Sequence, residues 1–108
     1  MKFTIAPIKL ESLIKAACSA RTKNKDNLTI TALKNRLSVE CNGVVAASDA
    51  DVSVSGAVTV HVKSFRKVLD TFKGTTLLEI EGSAEGLRLQ NFRMGIVSYD
   101  SRPKLPAD

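Results

Sequence analysis

The sequence has little aromatic content, no tryptophan, one histidine and two cysteines among its 108 residues. Because aromatic residues make up only 5%, Val, Leu, Ile and Ala must fill the core. Cys18 and Cys41 lack the spacing of a metal site, so we expect reduced packing residues in a cytoplasmic protein, with a disulfide as the alternative. No stretch approaches the roughly 20 apolar residues of a membrane span. Lys9 and Glu11 interrupt the apolar run that a secretory signal would need.

The composition that is present indicates a globular, basic domain. Hydrophobic residues make up 44% and charged residues 25%. This composition argues against a disordered chain, because disordered chains have low hydrophobicity. The length suits one domain, residues 1–108. The formal net charge is +5, and a basic balance favours polyanionic partners, although many basic domains bind none.

Hydrophobic periodicity divides the chain into two halves with the same order of elements. In the first half, a strand at Lys2–Ala6 precedes Pro7, which suits the first turn of a helix. The helix has one apolar stripe, formed by Leu10, Leu13, Ile14 and Ala17. Strands follow around the turns Lys34-Asn35-Arg36 and Asn42-Gly43, and the segment Val44–Val54 is expected to be extended with an irregular centre.

The second half repeats this pattern. A strand containing Val58, Val60 and Val62 leads to a helix with the stripe Phe65, Val68, Leu69 and Phe72, which Gly74 ends. Three strands are predicted after it, at Thr76–Glu81, Gly86–Gln90 and Phe92–Tyr99. The repeats therefore span about 1–54 and 56–101, and residues 102–108 form a proline-broken tail.

This repeat predicts an α+β fold with two strand–helix–strand–strand–strand units. Each helix has one apolar stripe, so each lies on a sheet with its other face free. The short connections after each helix predict antiparallel strand pairs. We expect both helices on one face and open edge strands, which favour head-to-tail association unless charges protect them.

Several segments resemble the amino-terminal domain of the bacterial DNA sliding clamp, the beta subunit of DNA polymerase III. The opening Met1-Lys2-Phe3-Thr4-Ile5 and the turn Ser48-Asp49-Ala50-Asp51 are similar to segments of that family. The nearest local similarity covers Gly56–Val60 and Lys63–Asp70, with Gly86–Leu89 and Leu105–Asp108 in addition. The resemblance extends over nearly the whole chain and corresponds to one of the clamp's domains.

The resemblance implies a DNA-clamp-like fold and a non-enzymatic function in DNA replication. Such clamps are rings around duplex DNA, with sheets outside and helices lining the hole. They bind DNA without sequence specificity and tether a polymerase as processivity factors. This chain departs from the family in two respects. It is basic overall, and it corresponds to a domain without the pocket for partner peptides, which the family has in its later domains. A ring of this chain alone requires a homo-oligomer closed head to tail.

The resemblance and the helix pattern together predict a DNA-binding surface of basic residues on both helices and the loop beyond the first. These residues are Lys15, Arg21, Lys23, Lys25, Lys63, Arg66, Lys67 and Lys73. Cationic side chains there would contact phosphates without reading bases. The alternative is that these lysines and arginines only keep the free helix faces solvated.

No residue pattern predicts catalysis, a metal site or a cofactor. Asp49 and Asp51 share a face if they lie on one strand, but a hard cation needs more oxygen ligands, so a turn or edge-protecting role is favoured. His61 has no second histidine or nucleophile nearby in sequence. The alternative to a DNA-binding domain is a protein-interaction module that binds a clamp or polymerase subunit through its sheet edge and regulates it.

Overall fold

A computed structural model describes residues 1–18 and 26–103 of the chain. The helices are α1 (Pro7–Ala17) and α2 (Val62–Asp70). The strands of the first half are β1 (Lys2–Ile5), β2 (Asn27–Leu33), β3 (Arg36–Cys41), β4 (Val44–Asp49) and β5 (Asp51–Val54). The strands of the second half are β6 (Gly56–His61), β7 (Leu78–Ser83), β8 (Gly86–Leu89), β9 (Phe92–Met94) and β10 (Ser98–Asp100).

The strands form two five-stranded antiparallel sheets, and each sheet takes strands from both halves of the chain. One sheet has the order β5-β1-β7-β8-β9 and the other the order β10-β6-β2-β3-β4. Exchanging the two halves, so that β1 corresponds to β6 and β2 to β7, converts one order into the other. The predicted repeat is therefore present in the topology. The first strand of each half pairs with a strand of the other half, β1 with β7 and β6 with β2.

The two helices lie beside each other and pack with their apolar stripes toward the sheets. All four predicted stripe residues of α1 are buried, and so are Phe65 and Leu69 of α2. Helix α1 contacts β3 and β4, α2 contacts β6, and the two helices contact each other. Their opposite faces remain exposed, as the single stripe on each helix predicted.

Aliphatic side chains dominate the core, as the scarcity of aromatic residues required. The two large aromatic side chains in it are Phe3 on β1 and Phe65 on α2, both fully buried. Alternate residues of the central strands complete it, including Leu28, Ile30, Leu78 and Ile80. Burying each such side chain contributes about 1.5–3 kcal/mol, so this core is the main source of stability.

The last predicted strand of each half is divided into two strands that belong to different sheets. Strand β4 pairs with β3, whereas β5 pairs with β1. Asn35 forms hydrogen bonds with the chain where it passes from β4 to β5. The Ala50 N–H donates to the Asn35 carbonyl oxygen at 3.1 Å, and the Val52 N–H donates to the Asn35 Oδ1 at 3.2 Å. The second half does the same: β9 pairs with β8 in one sheet, and β10 pairs with β6 in the other.

The structure shortens the second predicted helix and confirms both predicted hairpin turns. Helix α2 ends at Asp70, so Phe72 lies beyond it and is half-buried, and Gly74 belongs to the following turn. Both predicted hairpin turns are present. Lys34 and Asn35 have φ values of 52° and 59°, and Asn42 and Gly43 have values of 53° and 85°. Two consecutive positive φ angles match the right-handed twist of the strands they join.

Candidate nucleic-acid interface

The free face of α2 carries three exposed cationic side chains, Lys63, Arg66 and Lys67. Lys63 and Lys67 are one turn apart on the face opposite the buried Phe65, and Arg66 lies on the flank of this face. No carboxylate of the described residues lies within 4.0 Å of these three cations. These three cations therefore form no ion pair with a described residue, although the exposed carboxylate of Asp70 lies on the same face of α2.

The free face of α1 is less charged. It presents Ile8, Ser12, Lys15 and Ala16, all exposed, and the Ile8 side chain is 76% accessible. Lys15 forms an ion pair of 3.5 Å with Glu11, one turn earlier on the same helix. The Ser12 hydroxyl donates to the Ile8 carbonyl oxygen at 3.0 Å, so it is already engaged within the helix. Helix α1 thus offers one cation on its free face, and that cation has a partner.

A groove of about 290 Å³ separates the two helices on this surface. Its walls are Glu11 and Ile14 from α1, and Arg66, Lys67, Leu69 and Asp70 from α2. The groove therefore contains carboxylates as well as cations. One of these carboxylates, Asp70, is on the face of α2 where helical spacing also puts Lys63 and Lys67.

Lys73 lies at the end of α2 and is engaged by carboxylates. Its ammonium group is 3.1 Å from Asp70. The hydrogen bond to Asp70, the charge of Asp70 and the charge of Glu11 together raise the pKa of Lys73. Lys73 is thus a partly neutralised member of the surface.

Five of the eight predicted site residues are exposed on the two helices or in the turn after α2: Lys15, Lys63, Arg66, Lys67 and Lys73. Arg21, Lys23 and Lys25 lie outside the described residues. Glu11 is the residue of this surface that was not predicted. Its position four residues before Lys15 is the spacing of a helical ion pair and was the available signal. Lys9, also on α1, extends toward β4 instead, where its ammonium donates to the Asp49 carbonyl oxygen at 2.9 Å.

The other polar residues considered from the sequence do not gather into a site. Asp49 ends β4 opposite Arg36, whereas Asp51 begins β5 opposite Thr4, so the two aspartates belong to different sheets. His61 is exposed at the end of β6 and makes no side-chain cap to α2. Within residues 1–18 and 26–103, no group of three His, Cys, Asp or Glu side chains is arranged to hold a metal ion. Neither of the two described helices is long and apolar enough to cross a membrane.

Solved structures with a similar fold include bacterial beta clamps. The beta clamp of Helicobacter pylori, in complex with carprofen, matches 100% of this chain with a TM-score of 0.77 and 16% identity. Caulobacter crescentus pol III beta matches 89% of the chain with a TM-score of 0.70 and 17% identity. A further structure of the C. crescentus beta sliding clamp, with polyethylene glycol bound, matches 100% of the chain with a TM-score of 0.64 and 15% identity.

The matches concern one part of each clamp chain. This chain spans only 29–32% of the length of those clamps. No protein-family model matches the sequence, and no curated protein matches it. Identity of 15–17% is a likeness of fold, and the topology of two helices over two antiparallel five-stranded sheets agrees with it. Over most of its length, this chain therefore has the fold of one domain of the bacterial beta sliding clamp.

Proposed function

We propose that this chain is a non-enzymatic clamp-type domain that contacts duplex DNA without sequence specificity and serves as a processivity or tethering factor in replication. The observation that carries this proposal is the trio Lys63, Arg66 and Lys67, which has no described carboxylate partner on the free face of α2. The clamp-like fold supports it, because the trio lies on the helix side of the domain and not on a sheet. Such a role belongs in the cytoplasm.

The chemistry of this surface suits the phosphate backbone better than the bases. Lysine and arginine side chains neutralise phosphates and release counterions, so DNA affinity depends steeply on salt. Contacts of this kind fix the position of a duplex and carry no direct sequence information. The two helices lie side by side, so the trio occupies a shallow surface and not a single projecting helix that could enter a groove.

The direct test is the affinity of a fluorescently labelled duplex for the wild-type chain and for the double variant Lys63→Glu/Lys67→Glu. We expect the double variant to lose at least tenfold in affinity at low salt, because two attractive charges become repulsive. The control is Arg93→Glu, which reverses one cation on a strand and is compared with each single Lys→Glu variant. Arg93 is exposed on β9, where it lies opposite Arg88 of β8. A double variant that binds as tightly as the wild type would remove α2 from the proposed interface.

A homo-oligomeric ring is part of the proposal, because each sheet of the described strands ends in two edge strands that could pair with a second copy. These edges are β5, β9, β10 and β4. Light scattering across a wide concentration range, with and without duplex, tests this part. A particle mass that grows to a fixed multiple supports a closed ring. A strict monomer at the highest concentration, with and without DNA, contradicts self-assembly while leaving DNA contact by the single domain intact.

The second candidate function is a protein-interaction module that binds a clamp or polymerase subunit through a sheet edge and regulates it. Apolar side chains on two edge strands favour it: Val44 and Val45 on β4 are 46% and 42% exposed, and Phe92 on β9 is 47% exposed. An added strand would cover them and use the open backbone groups. Co-elution with a clamp or polymerase subunit in the absence of DNA distinguishes this function from direct DNA binding.

A further inference from the structure

The charges on the helix surface are unequally distributed between the two helices. We propose that phosphate contact is confined to α2, and that Glu11 and Asp70 in the groove between the helices repel the DNA backbone from α1 and weaken binding. This inference rests on the proposed function, and it adds two determinants that oppose binding. It assigns opposite effects to carboxylates and cations that lie only one helical turn apart.

The first observation is the pairing of the cations at the margins. Lys15 on α1 is 3.5 Å from Glu11, and Lys73 after α2 is 3.1 Å from Asp70. A cation that already has a carboxylate partner releases less free energy on contacting a phosphate, because the existing pair must be weakened. Lys63, Arg66 and Lys67 have no such partner among the described residues. The phosphate-contacting charge therefore resides on α2.

The second observation is the position of the two carboxylates. Both line the groove between the helices, Glu11 from α1 and Asp70 from α2. After the hydrogen bond and charge of Asp70, the charge of Glu11 also contributes to the raised pKa of Lys73. A phosphate seated over the groove would approach both carboxylates. Like charges at about 7 Å in water repel by roughly 0.6 kcal/mol before screening, which corresponds to a roughly twofold to threefold change in affinity.

The test measures duplex affinity for Glu11→Gln and Asp70→Asn, which keep the size of each side chain and remove its charge. We expect each variant to bind a labelled duplex roughly twofold to threefold more tightly at low salt, with the gain decreasing as salt rises. Glu40→Gln is the matched control. It makes the same change in net charge on an exposed strand residue of β3, on the sheet side of the molecule. We expect its affinity to stay near that of the wild type.

The salt dependence of the cation variants completes the test. Each of Lys63→Gln, Arg66→Gln and Lys67→Gln should reduce the slope of log affinity against log salt by about 0.9, whereas Lys15→Gln and Lys73→Gln should reduce it by less than half of that. Equal reductions for all five variants would overturn the confinement to α2. Unchanged affinity in Glu11→Gln and Asp70→Asn, or an equal gain in Glu40→Gln, would overturn the role of the groove carboxylates. Absence of duplex binding by every protein, the wild type included, would instead refute the proposed function itself.

Discussion

The amino group of Met1 donates a hydrogen bond of 2.8 Å to the Oη of Tyr99, a residue of strand β10. Met1 also extends the ladder of the other sheet: its amino group donates to the Gly82 carbonyl oxygen at 3.0 Å, and the Gly82 N–H donates to its carbonyl oxygen at 2.8 Å. The Met1 side chain is buried. Met1 thus connects the two sheets, through Gly82 of β7 and Tyr99 of β10.

Replacing Tyr99 with phenylalanine tests this connection. The variant Tyr99→Phe keeps the ring but removes the oxygen that accepts from the Met1 amino group. We expect the free energy of unfolding to fall by about 0.5–1.5 kcal/mol, the usual contribution of one hydrogen bond. Urea unfolding followed by circular dichroism measures it, since the chain has no tryptophan to report by fluorescence. An unchanged midpoint would show that the hydroxyl contributes nothing to stability.

Gly56 provides a steric test of the same junction. A Cβ atom at this position would lie 2.6 Å from the Cβ of Met1 and 3.1 Å from the Tyr99 oxygen. We expect Gly56→Ala to destabilise the fold by about 1–3 kcal/mol, because a packed junction must shift to admit the methyl group. Gly74→Ala is the control, since nothing lies within 4 Å of its Cβ position. Thermal melts of both variants should separate them, and equal melting temperatures would contradict the packing described.

The Met1 amino group predicts a dependence of stability on pH. Burial lowers its pKa below the ordinary value of 8.0, and the nearby Glu81 charge partly opposes this shift. Between the lowered pKa and 8.0 the unfolded chain therefore binds more protons than the folded chain. The free energy of unfolding should accordingly rise with pH through that interval and level off above it. Unfolding curves between about pH 6 and pH 9 measure this, and an amino-acetylated chain should lack this component.

Asn35 offers a prediction for the strand exchange between β4 and β5. Its Oδ1 accepts from the Val52 N–H, and its φ of 59° is costly for residues other than glycine, asparagine and aspartate. Asn35→Ala should therefore lose about 1–3 kcal/mol of stability, from the bond and the backbone together. Asn35→Gly should lose less, since glycine adopts this φ freely. Faster hydrogen exchange at the Val52 amide in both variants would confirm that the Asn35 side chain protects this amide where the chain passes from β4 to β5.

Periodicity and turn chemistry predicted the elements of this fold, but they could not predict which strands pair. The stripe from Leu10 to Ala17 and the Asn42-Gly43 turn depend on neighbours in sequence, so their signals are local. The exchange at Ala50 depends on contacts with Asn35, β1 and β3, which are distant in sequence. An extended chain has the same alternation in either sheet, and only its tertiary partners divide it into two strands.

The candidate site was predictable to a similar extent. Helical spacing located the cations on α2, because each lies on the face opposite Phe65 and Leu69 or on its flank. The spacing of Glu11 and Lys15 could have indicated their pairing within α1. The groove between Glu11 and Asp70 could not be predicted, because it depends on how closely the two helices approach each other.

The central claim is that duplex DNA contacts the free face of α2. Amide chemical-shift mapping of the isotope-labelled chain, titrated with a short duplex of arbitrary sequence and then with an unrelated one, tests it most directly. We predict that both duplexes shift the same amides, clustered in α2, with the strongest changes near Lys63 and Lys67. Shifts clustered on the edge strands β4 or β9 instead, with α2 unaffected, would contradict the claim.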